Sequence, residues 1–227
     1  IQIFDLDGSY VSSFGSKGSS TAFFNCPHDI KIYKNKIYVA DSDNYRIQIF
    51  DLDGSYVSSF GSRDKFDSQP YKLDVFNDKI YVVEIGENRI QVFDLSGDFL
   101  FEFGKKGEGA GEFSLPSDIA ISEEKIFVAD RMNSRIQVFD INGNFLNTFD
   151  PGVAYEEFVR PHSLAISDGK IFVADVPKLP IHVFEISGSF PMETSVIPGW
   201  IKNNAGWWAD GSINDSSFLE GISYLIQ

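Results

Sequence analysis

The chain has 227 residues and a formal net charge of -14, with 19 Lys and Arg against 33 Asp and Glu. That balance argues against nucleic acid as a partner, since phosphate binding needs a basic surface, and the single cysteine, Cys26, rules out an intramolecular disulfide. No apolar run reaches the roughly 18 residues of a membrane-spanning helix, whereas an aromatic content of 15%, with 22 Phe, provides for a large packed core.

The first stretch, IQIFDLDGSYVSSFGS at 1–16, returns letter for letter at 47–62. Weaker copies of its opening start at Ile90, Ile136 and Ile181. A second phrase precedes each later copy: KIYVAD from Lys36, KIYVVE from Lys79, and KIFVAD from Lys125 and Lys170. A third comes before that one: PHDIKI from Pro27, PYKLDV from Pro70, PSDIAI from Pro116 and PHSLAI from Pro161. Each phrase is short and rich in Ile, Val, Phe and Tyr, which predicts a strand. DLDG, DLSG, DING and EISG join such runs and predict tight hairpins with glycine at positive φ. A unit of about 45 residues holding four antiparallel strands is the pattern of a propeller blade, whose faces are buried only by its neighbours.

Units begin near 1, 47, 90, 136 and 181, so residues 1–190 are expected to form about four and a half blades. Ile1 opens in a third strand, and the expectation is a parent protein with further blades before it. The verbatim repeat reads as a recent duplication without chemistry of its own.

The stretch GKKGEGAGEFSLPSDIAISEEKIFVADRMNSRIQVFDINGNFL, from Gly104 to Leu146, resembles the NHL repeat. The resemblance covers residues 1 to about 190. It weakens in the second copy, where SRDKFDSQ stands in for the glycine-rich turn, and in the last, where VPKLPIHVF replaces the usual frame. It implies an all-β propeller, most often six-bladed, serving as a binding platform.

Several residues recur or stand out. Asp41 with Asn44 and Arg46, Glu84 with Asn88 and Arg89, and Asp130 with Asn133 and Arg135 repeat in one frame. Recurrence in each regular copy argues for a structural pair that pins the turn, with Asn in left-handed geometry. His28 and His162 follow the proline that opens the first strand, and Tyr71 and Ser117 hold the same place. First strands line a propeller's axis, so these four are the candidate ligand-binding residues at one channel mouth. The PHSLAI stretch also resembles propeller lyases that cleave peptidyl-α-hydroxyglycine and hold zinc on channel histidines. His28 and His162 would be the metal ligands in that alternative, although zinc usually takes three or four such ligands. His182 is expected at the surface, and Cys26, beside Pro27, is expected to be buried.

After residues 191–198, a proline-marked linker, the composition changes. Residues 199–227 show apolar spacing of two amphipathic helices and carry all three tryptophans, Trp200, Trp207 and Trp208. PGWIKNNAGWWADGSINDSSFLEGISYLI resembles a helical module at the ends of exported archaeal proteins. Trp concentrates at interfaces, so the segment is a candidate interaction tail. The resulting expectation is a non-enzymatic scaffold for a protein or small ligand, outside the cell or at its surface, without a resident cofactor. The alternatives are a metal-dependent lyase or hydrolase with its site at the channel mouth, a cytoplasmic protein, and a ubiquitin-ligase-type protein, which would need upstream RING or B-box cysteines.

Overall fold

The computed structural model describes residues 1–149, 160–176 and 181–186. The chain divides into two units, Ile1–Ile186 and Ser187–Gln227. The second unit, including the expected linker, helical hairpin and Trp200, Trp207 and Trp208, lies outside the described residues.

The described unit is a β-propeller. A two-stranded sheet comes first, β1 (Gln2–Phe4) with β2 (Tyr10–Ser13), and a short parallel pair follows, β3 (Ser16–Lys17) with β4 (Phe23–Phe24). Three four-stranded antiparallel blades come next. The first is β5 (Pro27–Tyr33), β6 (Lys36–Asp41), β7 (Arg46–Asp51) and β8 (Tyr56–Phe60). The second is β9 (Pro70–Phe76), β10 (Lys79–Glu84), β11 (Arg89–Asp94) and β12 (Phe99–Phe103). The third is β13 (Pro116–Ser122), β14 (Lys125–Asp130), β15 (Arg135–Asp140) and β16 (Phe145–Phe149). Of the fourth, β17 (Pro161–Ser167), β18 (Lys170–Asp175) and β19 (His182–Glu185) are described. The inner strands are neighbours in turn: β5 meets β9, β9 meets β13, and β13 meets β17.

The middle strands are apolar on both faces because each face meets another blade. In KIYVAD and RIQIFD the residues from Ile37 to Asp41 and from Ile47 to Phe50 are buried. One core joins the first two blades, with Tyr38, Ala40, Ile47 and Ile49 against Leu73, Val75, Ile80, Val82 and Phe93. The next joins Tyr81, Val83, Ile90 and Val92 to Ile119, Ile126, Val128 and Phe139. The hairpins expected at the two DLDG turns, DLSG and DING form, and the EISG turn lies outside the described residues: Gly8, Gly54, Gly97 and Gly143 all have φ between 82° and 87°, and in each the glycine N–H closes onto the aspartate carbonyl three residues back.

The connectors between blades are anchored by phenylalanine. Phe113 is fully buried, and its ring fills the space a Cβ on Gly104 would need. Phe66 does the same against Gly61 in the second copy, although SRDKFDSQ shares no glycine pattern with the others. Cys26 departs from expectation. It is exposed, because it occupies the left-handed turn before Pro27 (φ 54°) rather than a strand face. His182 is half-buried with its ring stacked on Phe184, not displayed at the surface.

Candidate functional site

The recurring charged frame is spent on internal bonds. Asp41 is fully buried and accepts from the Asn25 N–H at 2.7 Å, Arg46 Nε at 2.8 Å, Gln48 Nε2 at 3.0 Å and Asn44 Nδ2. Arg46 then donates to the carbonyls of Ser20 and Phe23. One carboxylate therefore ties a turn to the incoming connector. Asp130 repeats the arrangement with the Ser114 N–H, Asn133, Arg135 and Gln137.

The second copy keeps the ion pair, Arg89 Nε to Glu84 at 2.7 Å, and the connector bond, Ser68 N–H to Glu84 Oε1 at 3.0 Å, but its Asn88 and Gln91 amides bond elsewhere. Arg89 reaches Asp67 and Glu102 instead of connector carbonyls. Gln91 Oε1, whose counterparts accept the N–H of Ala22 and Gly111, has no hydrogen-bond partner among the described residues. Asn88 is also not the counterpart of Asn44. It holds the next position, in the left-handed conformation (φ 57°) that Tyr45 and Ser134 adopt in the regular copies. There it donates to the Gly86 carbonyl and accepts the N–H of Leu115, reaching the next blade. Asn44 and Asn133 serve as donors to the buried carboxylate, not as left-handed residues.

The residue after each strand-opening proline has a distinct geometry. His28, Tyr71, Ser117 and His162 each fall where the pairing with the second strand slips by one. These are β-bulges, which bend a strand end and re-aim its side chain. The bulges bring neighbours together in pairs. The rings of His28 and Tyr71 are 4.6 Å apart, and Cys26 Sγ lies 3.5 Å from His28 Nε2. Ser117 Oγ lies 3.0 Å from the carbonyl oxygens of both Pro161 and His162, which share its one proton. Ser117 is fully buried and ties its strand to the next one, with no group presented at the surface. Burial pushes the His162 imidazole below its usual range, and the nearby Arg131 and Lys72 charges add to this.

Below the bulges runs a set of carboxylates that the sequence patterns did not single out. Asp29 Oδ2 accepts the Leu73 N–H at 3.0 Å, Asp74 Oδ2 that of Ile121 at 2.8 Å, and Asp118 Oδ2 that of Leu164 at 2.8 Å. Each inner strand thus grips the next through a carboxylate. Lys72 lies 3.5 Å from Asp29, and Lys31 3.7 Å from Asp74. Burial raises Asp74 against the pull of Lys31, and it pushes Asp118 up to about 6 despite two N–H donors and Lys72. The available signal was an Asp inside an apolar strand, which requires a partner.

A zinc site does not fit these residues. Among the described residues no three His, Cys, Asp or Glu groups converge to hold a metal. His28 is packed on the Tyr71 ring, while His162 neighbours Arg131 and Lys72, whose charges oppose a cation.

Comparison with known proteins agrees with this architecture. Residues 61–159 match a family model described as a 6-bladed beta-propeller (DUF5128), and residues 24–50 match the NHL repeat. The described unit is a propeller, and one of its repeats matches the NHL model. A computationally designed protein, Ika4, superposes with a TM-score of 0.53 at 17% identity, over 78% of this chain and 99% of that one. Hydrazine synthase of Kuenenia stuttgartiensis gives 0.54 at 16% identity, over 74% of this chain and 48% of that one. The designed Ika8 gives 0.52 at 16%, over 80% and 51%. The chain spans nearly all of Ika4 and about half of the other two. These likenesses show the fold alone. No curated protein matches the chain.

Proposed function

We propose that the protein is a non-enzymatic binding scaffold whose ligand, a protein segment or small molecule, is held at the bulged ends of the inner strands. One observation carries this reading: the same backbone bulge recurs in four blades while its side chain varies as His, Tyr, Ser and His. A constant support with variable display is what a recognition surface needs. The constant residues, Asp41, Arg46, Asp130 and Arg135, bond to one another and to connector carbonyls within the fold. His28, Tyr71 and His162 keep exposed surface and are the proposed contacts. The net charge of -14 favours partners other than nucleic acid. An extracytoplasmic setting is proposed from the resemblance of residues 198–226 to a module of exported proteins.

The test is selection of binders from a displayed random-peptide library on the full chain, followed by two variants. His28→Ala with Tyr71→Ala is expected to lose the selected peptides and keep the melting temperature. Arg135→Ala is expected to melt lower, by about 1–3 kcal/mol of stability for a lost charged hydrogen bond to a buried carboxylate, and to keep the peptides while folded. The opposite pattern would make the charged frame the functional site.

A further inference from the structure

Positive charge gathers where the third blade meets the fourth. Arg131 follows the buried Asp130, which pairs with Pro116 at the opening of β13. Ser117, the next residue, reaches the Pro161 and His162 carbonyls of the fourth blade. Ser42 holds the place of Arg131 in the first blade, and its hydroxyl donates to the Pro70 carbonyl of the following blade at 2.6 Å. Arg131 makes no such bond. Its Nε is buried and has no hydrogen-bond partner among the described residues, and no described carboxylate lies within 4 Å of its guanidinium. A buried charged donor left unpaired in a native fold calls for an acceptor from outside it. His162 stands beside it. With the Ser163 hydroxyl, 3.2 Å away, donating to Nδ1, the neutral ring carries its proton on Nε2 and offers a second donor. Burial and the Arg131 and Lys72 charges keep that ring neutral. Arg160, exposed, precedes the same proline. The acids close to this group are already engaged. Asp29 accepts the Leu73 N–H and pairs with Lys72, and Asp118 accepts the N–H groups of Ile119 and Leu164.

We infer that Arg131 and His162 hold a carboxylate, whether of a peptide chain end, an acidic side chain or a small organic acid. The inference rests on the scaffold reading of the same strand ends and names the group they anchor. The edge formed by Arg131 Nε and one Nη matches the two oxygens of a planar carboxylate, and His162 Nε2 takes a further lone pair. A dianionic phosphate fits less well, because Asp29 and Asp118 oppose its second charge and Lys72 is already spent on Asp29. The net charge of -14 adds to that discrimination.

The probes are phenylacetate, its uncharged isostere phenylacetamide, and phenylphosphonate at pH 8. Each is titrated into the full chain and followed by the Arg131 Nε–H and His162 ring resonances. Phenylacetate should saturate at one molecule per chain, and phenylacetamide should bind at least about tenfold more weakly, as for a lost charge-assisted hydrogen bond. Arg131→Ser installs what the first blade carries at that place, so the melting temperature should hold while phenylacetate affinity falls at least about tenfold. Arg131→Lys, which keeps the charge and loses the fork, should fall between. No saturable shift, equal binding of phenylacetamide, tighter binding of phenylphosphonate, or unchanged affinity in Arg131→Ser overturns the inference. The selected peptides separate this outcome from the scaffold reading. Loss of binding on amidating the peptide's C-terminus assigns the carboxylate to a chain end, and loss on replacing its acidic residues by amides assigns it to a side chain. Peptides that survive both changes and Arg131→Ser keep the scaffold and overturn the carboxylate. Phenylacetate bound with no peptide selected assigns the site to a small organic acid.

Discussion

Residues 1–16 and 47–62 have one sequence and two environments. Both form a hairpin with the same turn: Gly8 and Gly54 have the same φ, 87°, and each N–H closes onto an aspartate carbonyl at 2.9 Å. Beyond the hairpin they diverge. Phe50 is fully buried among Phe24, Ile37 and Val39, while Phe4 is 53% exposed. Gln48 bonds a connector carbonyl and a buried aspartate, while Gln2 is exposed. Sixteen identical letters therefore determine a turn and a strand pair, and neighbouring strands determine everything about burial. In a repeat fold, local structure is written in the unit and stability is written between units.

The largest test of that division is a matched pair of truncations. Phe50→Ala should cost about 3–5 kcal/mol, the usual range for an emptied aromatic site in a packed core. Phe4→Ala should cost less than about 1 kcal/mol, because half of the ring already faces solvent. Denaturant midpoints of the two variants measure the difference. Equal costs would mean that Phe4 is covered in solution.

Glycine gives a finer comparison. A Cβ on Gly8 would meet nothing within 4 Å, whereas one on Gly54 would lie 2.8–2.9 Å from three atoms of Phe14, including its Cβ. Rotating the Phe14 ring cannot relieve a clash with its Cβ. Gly8→Ala should then cost only the left-handed backbone penalty of about 1–2 kcal/mol. Gly54→Ala should cost that plus about 1–3 kcal/mol of overpacking. Thermal melts of the two alanine variants should separate, with Gly54→Ala lower. Coincident melts would show that Phe14 does not press on the second hairpin.

The same division explains what the sequence made legible. Strand order, hairpin turns and the Asp–Arg frame are properties of one unit, and each is repeated often enough to read. The features that escaped depend on strand register, turn conformation and contacts between units. The bulges at His28, Tyr71, Ser117 and His162 are one-residue slips against the second strand of the same blade, and no letter marks them. The carboxylates of Asp29, Asp74 and Asp118 look like interruptions of an apolar strand until the N–H groups they accept appear in the following blade. In the second copy, aligning Asn88 with Asn44 failed because its turn shifts Asn to the left-handed position. The exposure of Cys26 follows from its turn conformation, which residue type alone does not predict. The four candidate ligand residues were placed correctly on first strands. Only their surroundings showed that Ser117 is a fastener and that His28 and Tyr71 form a pair.

The smallest expected effect compares two aspartates in one frame. Asp29 and Asp118 each lie two residues after the strand-opening proline. Asp29 has Lys72 at 3.5 Å, whereas Asp118 is enclosed and, among the described residues, has no ion pair within 4 Å. Burial is the chief cause that pushes Asp118 up to about 6, from an ordinary value of 3.8. The sign follows from the direction. A carboxyl whose folded value lies above its unfolded one favours folding when protonated. Its contribution is complete below the unfolded value and is lost as pH rises through about 6. Asp118→Asn keeps an oxygen to accept the Leu164 N–H and removes the charge. The variant should therefore be more stable than the parent at pH 7–8, by about 1 kcal/mol after allowing for the compensating pull of Lys72. The advantage should fade between pH 6 and pH 4, where the parent carboxyl gains its own proton. Urea midpoints of both proteins at pH 4.5, 6 and 7.5 trace this window. A variant less stable than the parent at pH 7.5 would mean that the charged carboxylate, held by its two N–H donors and Lys72, is the form the interblade grip requires.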